Sequence, residues 1–299
     1  TVTPENFREF YKGYYHPDET FIVLVGDFET DYAAGKIEEF FADWTVEAPA
    51  KADVEIEPLG PRGAEAEYYV DPEIQTSISL TVMGAPDLRK DTAENRRAAF
   101  IESLGNRILS RRLAKIARSG EAAFISASAS SSSIYDVRGL STLSMSAQPE
   151  TWAQALAQGE QALRRAYEFG FTQDELDEQI ANTRKGLQVA VQTSPTRRTS
   201  GLARQILGSF SANQVMTDSA SDLERFEKYA DSITPEQVYE AFKVKWAGLD
   251  SPQLYLSTSL VIEDAENVMM KALADSRAVA VTPLAAQVKA DFAYTDFGT

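Results

Sequence analysis

Apolar residues recur at helical spacing from the start of the chain. Phe7, Phe10, Tyr11 and Tyr14 share one side of a helix that Thr3 is placed to cap. Pro4 stands at the first helical position and Glu5 in the first turn, where the helix dipole favours negative charge. The run from Thr20 to Val25 is rich in β-branched and aromatic residues and predicts a buried strand ending at Gly26. Asp31 to Trp44 then predicts a helix that buries Ile37, Phe40, Phe41 and Trp44 and leaves Glu38 and Glu39 in solvent.

The same order returns near the other end. Thr234, Pro235 and Glu236 repeat Thr3, Pro4 and Glu5 at a spacing of 231 residues, Trp246 falls opposite Tyr15, and Phe242 lies one step from the match to Phe10. A strand over 253–260 and a helix over 263–276 complete the second copy. A period this long suits a duplicated domain, not a solenoid unit. The second copy closes a domain that begins near Ala64, whereas almost nothing precedes the first. The expectation is therefore a piece of a larger protein: 1–47 as the end of a truncated first domain, 48–63 as a linker, 64–276 as a second domain and 277–299 as a connector. The linker holds three prolines and two glycines.

Between the copies the periodicity alternates. Glu65 to Val70 and Thr76 to Gly84 read as strands, with Ile78, Leu80 and Val82 on one face. Thr92 to Ser119 reads as a long helix striped by Ala99, Phe100, Leu104, Ile108, Leu109, Leu113 and Ile116. Its later half carries Arg107, Arg111, Arg112, Lys115 and Arg118; such cations suit a helix C-terminus, and a nucleic-acid patch is the competing reading. Ala122–Ile134 and Leu140–Ala147 predict a hairpin of small residues. Helices follow over 151–169, 172–193, 195–211 and 219–230, with Thr172 and Glu175 spaced as a capping box. The pattern favours an α+β sandwich with an antiparallel or mixed sheet covered by helices on one face.

Composition narrows the chemistry. The 299 residues carry 29 Lys plus Arg against 45 Asp plus Glu, a formal charge of −16, which disfavours nucleic acid or an anionic membrane as partner. Cysteine is absent, so disulfides and thiolate metal sites are excluded. His16 is the only histidine and reads as structural or exposed, because a catalytic zinc site calls for more imidazole than one. The run Ser130–Ser133 has no nearby histidine and no GxSxG elbow, so it lacks the features of a serine hydrolase. Nor is there a phosphate-binding glycine loop.

The stretch TPENFREFYKGYYHPDETFIVLVGDF resembles the segment that follows the active-site region in the M16 (insulinase/pitrilysin-like, mitochondrial processing peptidase-like) zinc metallopeptidases. NRILSRRLAKIARSGEAAFISASAS resembles the part of their second domain that carries an arginine followed by a tyrosine, and YTDFG resembles the connector of the long bacterial members. The resemblance implies an M16-type metallohydrolase-like sandwich and a clamshell around unfolded peptides. The family's HxxEH zinc helix would precede Thr3; this chain has no HxxEH and is expected to bind no cofactor and to be inactive alone, with zinc in the missing N-terminal region. Arg118 is the candidate substrate-binding arginine, and Phe124 stands where the tyrosine is expected, without its hydroxyl. The competing reading makes Arg118 a helix-end cation and Phe124 core.

The resemblance implies a fragment of a zinc endopeptidase that supplies chamber wall and substrate-docking surface. Its partners would be unfolded peptides and either the remaining domains of the same polypeptide or a homologous subunit, with no nucleic acid and no membrane. A non-catalytic M16-like scaffold subunit is the alternative. Long bacterial members point to the periplasm.

Overall fold

A computed structural model describes residues 2–46, 51–52, 56, 62–134 and 136–284. In chain order the elements are α1 (Pro4–Tyr14), α2 (Thr30–Phe41), β1 (Glu65–Val70), β2 (Ser77–Gly84), α3 (Ala93–Arg118), β3 (Phe124–Ile134) and β4 (Arg138–Ala147). They continue with α4 (Trp152–Phe169), α5 (Gln173–Thr193), α6 (Thr199–Ser211), α7 (Ser219–Glu227), α8 (Pro235–Lys245), β5 (Gln253–Thr258) and α9 (Ala265–Ala278). Two compact units interleave along the chain. One takes the described residues of 1–58, 89–97 and 181–231, the other those of 59–88, 98–180 and 232–299. Most of the predicted linker lies outside the described residues, as does the tail beyond Leu284.

The second unit is built on a five-stranded mixed sheet in the order β1-β5-β2-β4-β3. β5 runs parallel to β1 and antiparallel to β2, and the other pairings are antiparallel. Alternation sorts the two faces. Ile78 registers with Met145 on one side and Leu256 on the other; Leu80 does the same with Leu143 and Leu254. All six are buried. The opposite face is hydroxyl-rich, with Thr81 and Thr142 bonded across the strands at 3.1 Å. This α+β sheet with one buried face agrees with the sequence pattern.

Helices cover the apolar face. α3 buries Ile101, Leu104, Gly105, Asn106, Ile108, Leu109 and Leu113. Of the expected stripe, Ala99 is exposed and Phe100 and Ile116 are half-buried, and the buried set includes the polar Asn106 instead. Gly105 lets α8 approach: a Cβ there would stand 2.6 Å from Cδ2 and 2.9 Å from Cβ of Phe242. Phe171 meets the Phe242 ring edge-on at 5.2 Å.

Polar residues fasten these helices. The Thr172–Glu175 capping box forms as expected, with Glu175 N–H donating to Thr172 Oγ1 at 3.3 Å and Thr172 N–H to Glu175 Oε2 at 3.0 Å. The same carboxylate takes a forked pair of bonds from Arg112 at 2.7 and 2.8 Å, and Arg112 also donates to Gly170 O. Burial pushes the Glu175 carboxyl up, but Arg112 and the Thr172 backbone outweigh it and hold the group below its ordinary 4.5. On α4, buried Glu160 binds Arg164 at 2.9 Å and Ser276 Oγ at 2.5 Å. Arg164 also donates to Ser276 O and Val279 O, and Arg165 to Thr282 O, so both arginines hold the chain that leaves α9.

The first unit holds the first copy of the repeat. Thr3 caps α1 with a full capping box to Asn6, matching the box that Thr234 makes with Gln237 on α8. Beyond the cap the copies diverge. Thr20 to Val25 forms no strand, and α2 buries none of its residues; Phe40 is 67% exposed, Phe41 is exposed and Ile37 and Trp44 are half-buried. The reason is pairing. A strand needs neighbours for its backbone groups, and no described strand runs beside this segment. Phe21 instead stacks on Phe210 of α6 at 3.9 Å. Elsewhere in this unit Arg184 of α5 holds Glu227 and Asp231 and lies over the buried Phe226 ring. Arg96 forks onto Asp91, which also accepts from Val215 N–H.

Two predictions follow from this packing. Gly105→Ala is expected to destabilise the chain by about 1–2 kcal/mol, overpacking against Phe242 outweighing the gain in helix propensity. Gly186→Ala on α5, where an added Cβ meets nothing within 4 Å, should leave stability unchanged or raise it; urea unfolding distinguishes the two. The lowered Glu175 pKa gives stability that is present above 4.5 and lost as pH falls through the folded value. Glu175→Gln should flatten the acid limb of the thermal melting temperature below that pH while lowering stability at neutrality.

Candidate functional site

The helix-facing rows of the sheet change character toward β3. The inner rows are aliphatic, but the row beyond Leu80 pairs Val82 with Ser141 and Ser141 with Ser131. Ser141 is buried, so its hydroxyl needs a partner, whereas Ser131 is exposed. Ser131 Oγ and Ser141 Oγ lie 2.9 Å apart, and Asn106 Nδ2 donates to Ser131 Oγ at 2.9 Å. Asn106 Oδ1 accepts from the indole N–H of Trp246 at 3.0 Å. A hydrogen-bonded chain thus runs from the end of α8 through α3 to both strands of the hairpin. Trp246, fully buried, is anchored by it.

This chain underlies a cleft of about 470 Å³ in the second unit. Its walls are Glu102, Ser103, Asn106 and Arg107 of α3, Ser130–Ser133 of β3, Gly139–Ser141 of β4, and Lys245. Lys245 pairs with Glu102 at 2.9 Å. The Arg107 guanidinium lies over the Phe100 ring, 5.4 Å from its centre. Gly139 admits close approach of the Ala85 carbonyl, with which any side chain there would collide.

β3 ends the sheet, and its outer edge carries the hydrogen-bonding capacity of this site. In an antiparallel pair, successive residues turn their backbone groups alternately toward the partner strand and away from it. Ala129 turns away from β4: its N–H donates to Ser110 Oγ at 2.9 Å and its carbonyl accepts from the same hydroxyl at 3.2 Å. Ala127, Ser131 and Ser133 therefore face outward too, and their outward groups meet no partner among the described residues. The arrangement suits binding of an extended chain. It does not suit hydrolysis by serine, since Ser131 is engaged by Asn106 and Ser141, neither of which is a base.

The sequence-derived candidates lie elsewhere. Arg118 is the last residue of α3 and is exposed, about 16 Å along the helix from Arg107. Gly120, at φ 81°, then reverses the chain. Phe124 opens β3 opposite Ala147 and is 3% exposed, so its ring is packed into the interior. The structure brings neither to the cleft. His16 is buried, with Nε2 2.9 Å from Lys12 O and Nδ1 3.9 Å from Asp18. No group of three or more His, Cys, Asp or Glu among the described residues could hold a metal ion. Among the described residues, then, no cluster offers the ligands that a catalytic zinc calls for. The cleft residues escaped the sequence reading because their signal is positional: Asn106 interrupts an apolar stripe, and the serine run draws attention as chemistry when its role is hydrogen bonding.

Comparison with known proteins places the chain. The profile of the peptidase M16 inactive domain matches residues 1–183. The first half of the periplasmic protease PqqL from Escherichia coli superposes with a TM-score of 0.75 at 16% identity, over 95% of this chain and 62% of that one. Complete PqqL gives 0.80 at 17% identity, over 99% of this chain and 33% of PqqL. A peptidase M16 inactive domain from Pseudomonas fluorescens gives 0.61 at 22% identity, over 88% of this chain and 59% of its own. The chain thus spans less than two thirds of these structures. No curated protein sequence matches it.

The network under the cleft makes a stability prediction. Asn106→Leu should cost about 1–3 kcal/mol, because the buried Trp246 N–H is left without an acceptor. Ser131→Ala leaves that bond in place and should cost less. Denaturant titration of both variants checks the order, and equal losses would mean that the Trp246 bond contributes nothing.

Proposed function

The chain belongs to the peptidase M16 inactive-domain family, and we propose that it serves as the substrate-docking part of a zinc endopeptidase, with the metal supplied by polypeptide outside these residues. The observation that carries this reading is the outward edge of β3 beside the cleft. Ser131 and Ser133 present backbone donors and acceptors in the geometry a further strand would satisfy, which is how sheet edges capture extended peptides. The cleft beside them has room for side chains on one face of such a strand. An extended peptide would gain main-chain bonds there whatever its sequence, as suits a protein that handles unfolded substrates.

Electrostatics supports basic peptides over acidic ones, given the formal charge of −16. Arg118 stays in this reading as an exposed cation that meets substrate carboxylate or carbonyl groups away from the cleft, while Phe124 contributes by packing. The working partners are unfolded peptides together with the remaining domains of the same polypeptide or a homologous subunit. The resemblance to periplasmic PqqL supports a periplasmic setting. No described helix is long and apolar enough to cross a membrane.

The test is direct. A lysine- and valine-rich extended peptide added to the 299-residue chain should slow amide exchange at Ser131 and Ser133. The chain should not cleave that peptide, with or without added zinc. Zinc-dependent turnover would overturn the assignment, and unchanged exchange at both amides would remove the docking site.

A further inference from the structure

The β3 edge is not uniformly open. Of its outward-facing residues, Ala129 is already occupied, and by a single side chain: the Ser110 hydroxyl accepts from its N–H at 2.9 Å and donates to its carbonyl at 3.2 Å. Ser131 and Ser133 lie on one side of that point and Ala127 on the other. We propose that Ser110 is a specificity-determining residue that sets how far a docked peptide pairs along β3. The proposal rests on the reading that β3 receives a peptide strand.

The geometry gives the mechanism. A strand laid against Ser133 and Ser131 finds its next pair of backbone partners already taken. To continue, it must displace Ser110, exchanging two existing hydrogen bonds for two new ones and leaving a half-buried hydroxyl to find other partners. That exchange yields no net gain, so the peptide leaves the sheet at Ala129. The paired stretch from Ser131 to Ser133 covers about 7 Å of strand, enough for roughly three or four peptide residues.

Asn106, one helical turn before Ser110, works differently. It holds the side chain of Ser131 and not its backbone, so the edge stays available there. α3 therefore closes the edge at one position and leaves it open at the next. The site selects a short extended stretch of a chain that then turns away, whatever the identity of its side chains.

The test uses the full chain and two labelled probes, a tetrapeptide and an octapeptide of alternating lysine and valine, titrated by fluorescence anisotropy with amide exchange read in parallel. In the unsubstituted chain the two are expected to bind within about twofold of each other, because residues beyond the short stretch add no main-chain bonds. In Ser110→Ala the octapeptide should bind about threefold to tenfold tighter than the tetrapeptide, with new protection at the Ala129 amide. Ser110→Thr and Ser110→Val, alike in shape, separate the hydroxyl from packing: threonine should behave as serine does, and valine as alanine does. Protection at Ser131 and Ser133 with no length dependence in either hydroxyl-free variant would overturn the role of Ser110 while sparing the docking site. Protection at neither amide in any variant would overturn both.

Discussion

The second unit depends on one strand arriving late. β5 lies between β1 and β2, so Ala66 pairs with Leu254 and Leu80 pairs with the same residue from the other side. Until residues 253–258 are in place, β1 has no partner among the described strands, and Ser77–Thr81 of β2 lack their second neighbour. The bond from Tyr68 Oη to Leu260 O spans 192 residues of sequence. Contacts this distant close large loops before they return any stabilisation, and the hairpin of β3 and β4, local in sequence, is the natural place for the sheet to begin. The cleft sits at the hairpin end of the sheet.

The two copies show what that closure supplies. Their caps are alike, each a threonine with a reciprocal amide side chain three residues on. In the second copy Phe242 and Trp246 are buried against α3, and the following strand is paired on both sides within the sheet. In the first, Phe10 is 55% and Tyr15 53% exposed, and the strand-like segment has no described partner. The caps are properties of four consecutive residues. Burial and strand formation are properties of what surrounds them, and identical local signals give different outcomes when the surroundings differ.

That contrast explains what could be read from the chain. The alternation of Ile78, Leu80 and Val82 in β2 and the apolar stripe of α3 identified the sheet and its cover because each encodes a face. The capping box at Thr172 and the N-cap at Thr234 were legible for the same reason: each is local. The burial of Asn106, the pairing of Arg112 with Glu175 and the turn of Ser110 toward Ala129 were not legible, since each depends on the approach of segments that spacing alone does not place. Arg118 and Phe124 were singled out by resemblance to a family motif, and proximity in sequence did not carry them to the cleft.

The clamp at the end of α9 has a mechanical consequence. Arg164 and Arg165 bind three carbonyl oxygens, at Ser276 in the last turn of α9 and at Val279 and Thr282 beyond it, and Arg164 is itself braced by the buried Glu160. A displacement entering the chain at Val279 or Thr282 is therefore met first by α4, without passing through β5. The strand that completes the sheet is thereby separated from strain that enters beyond α9, because the clamp on α4 stands between the two.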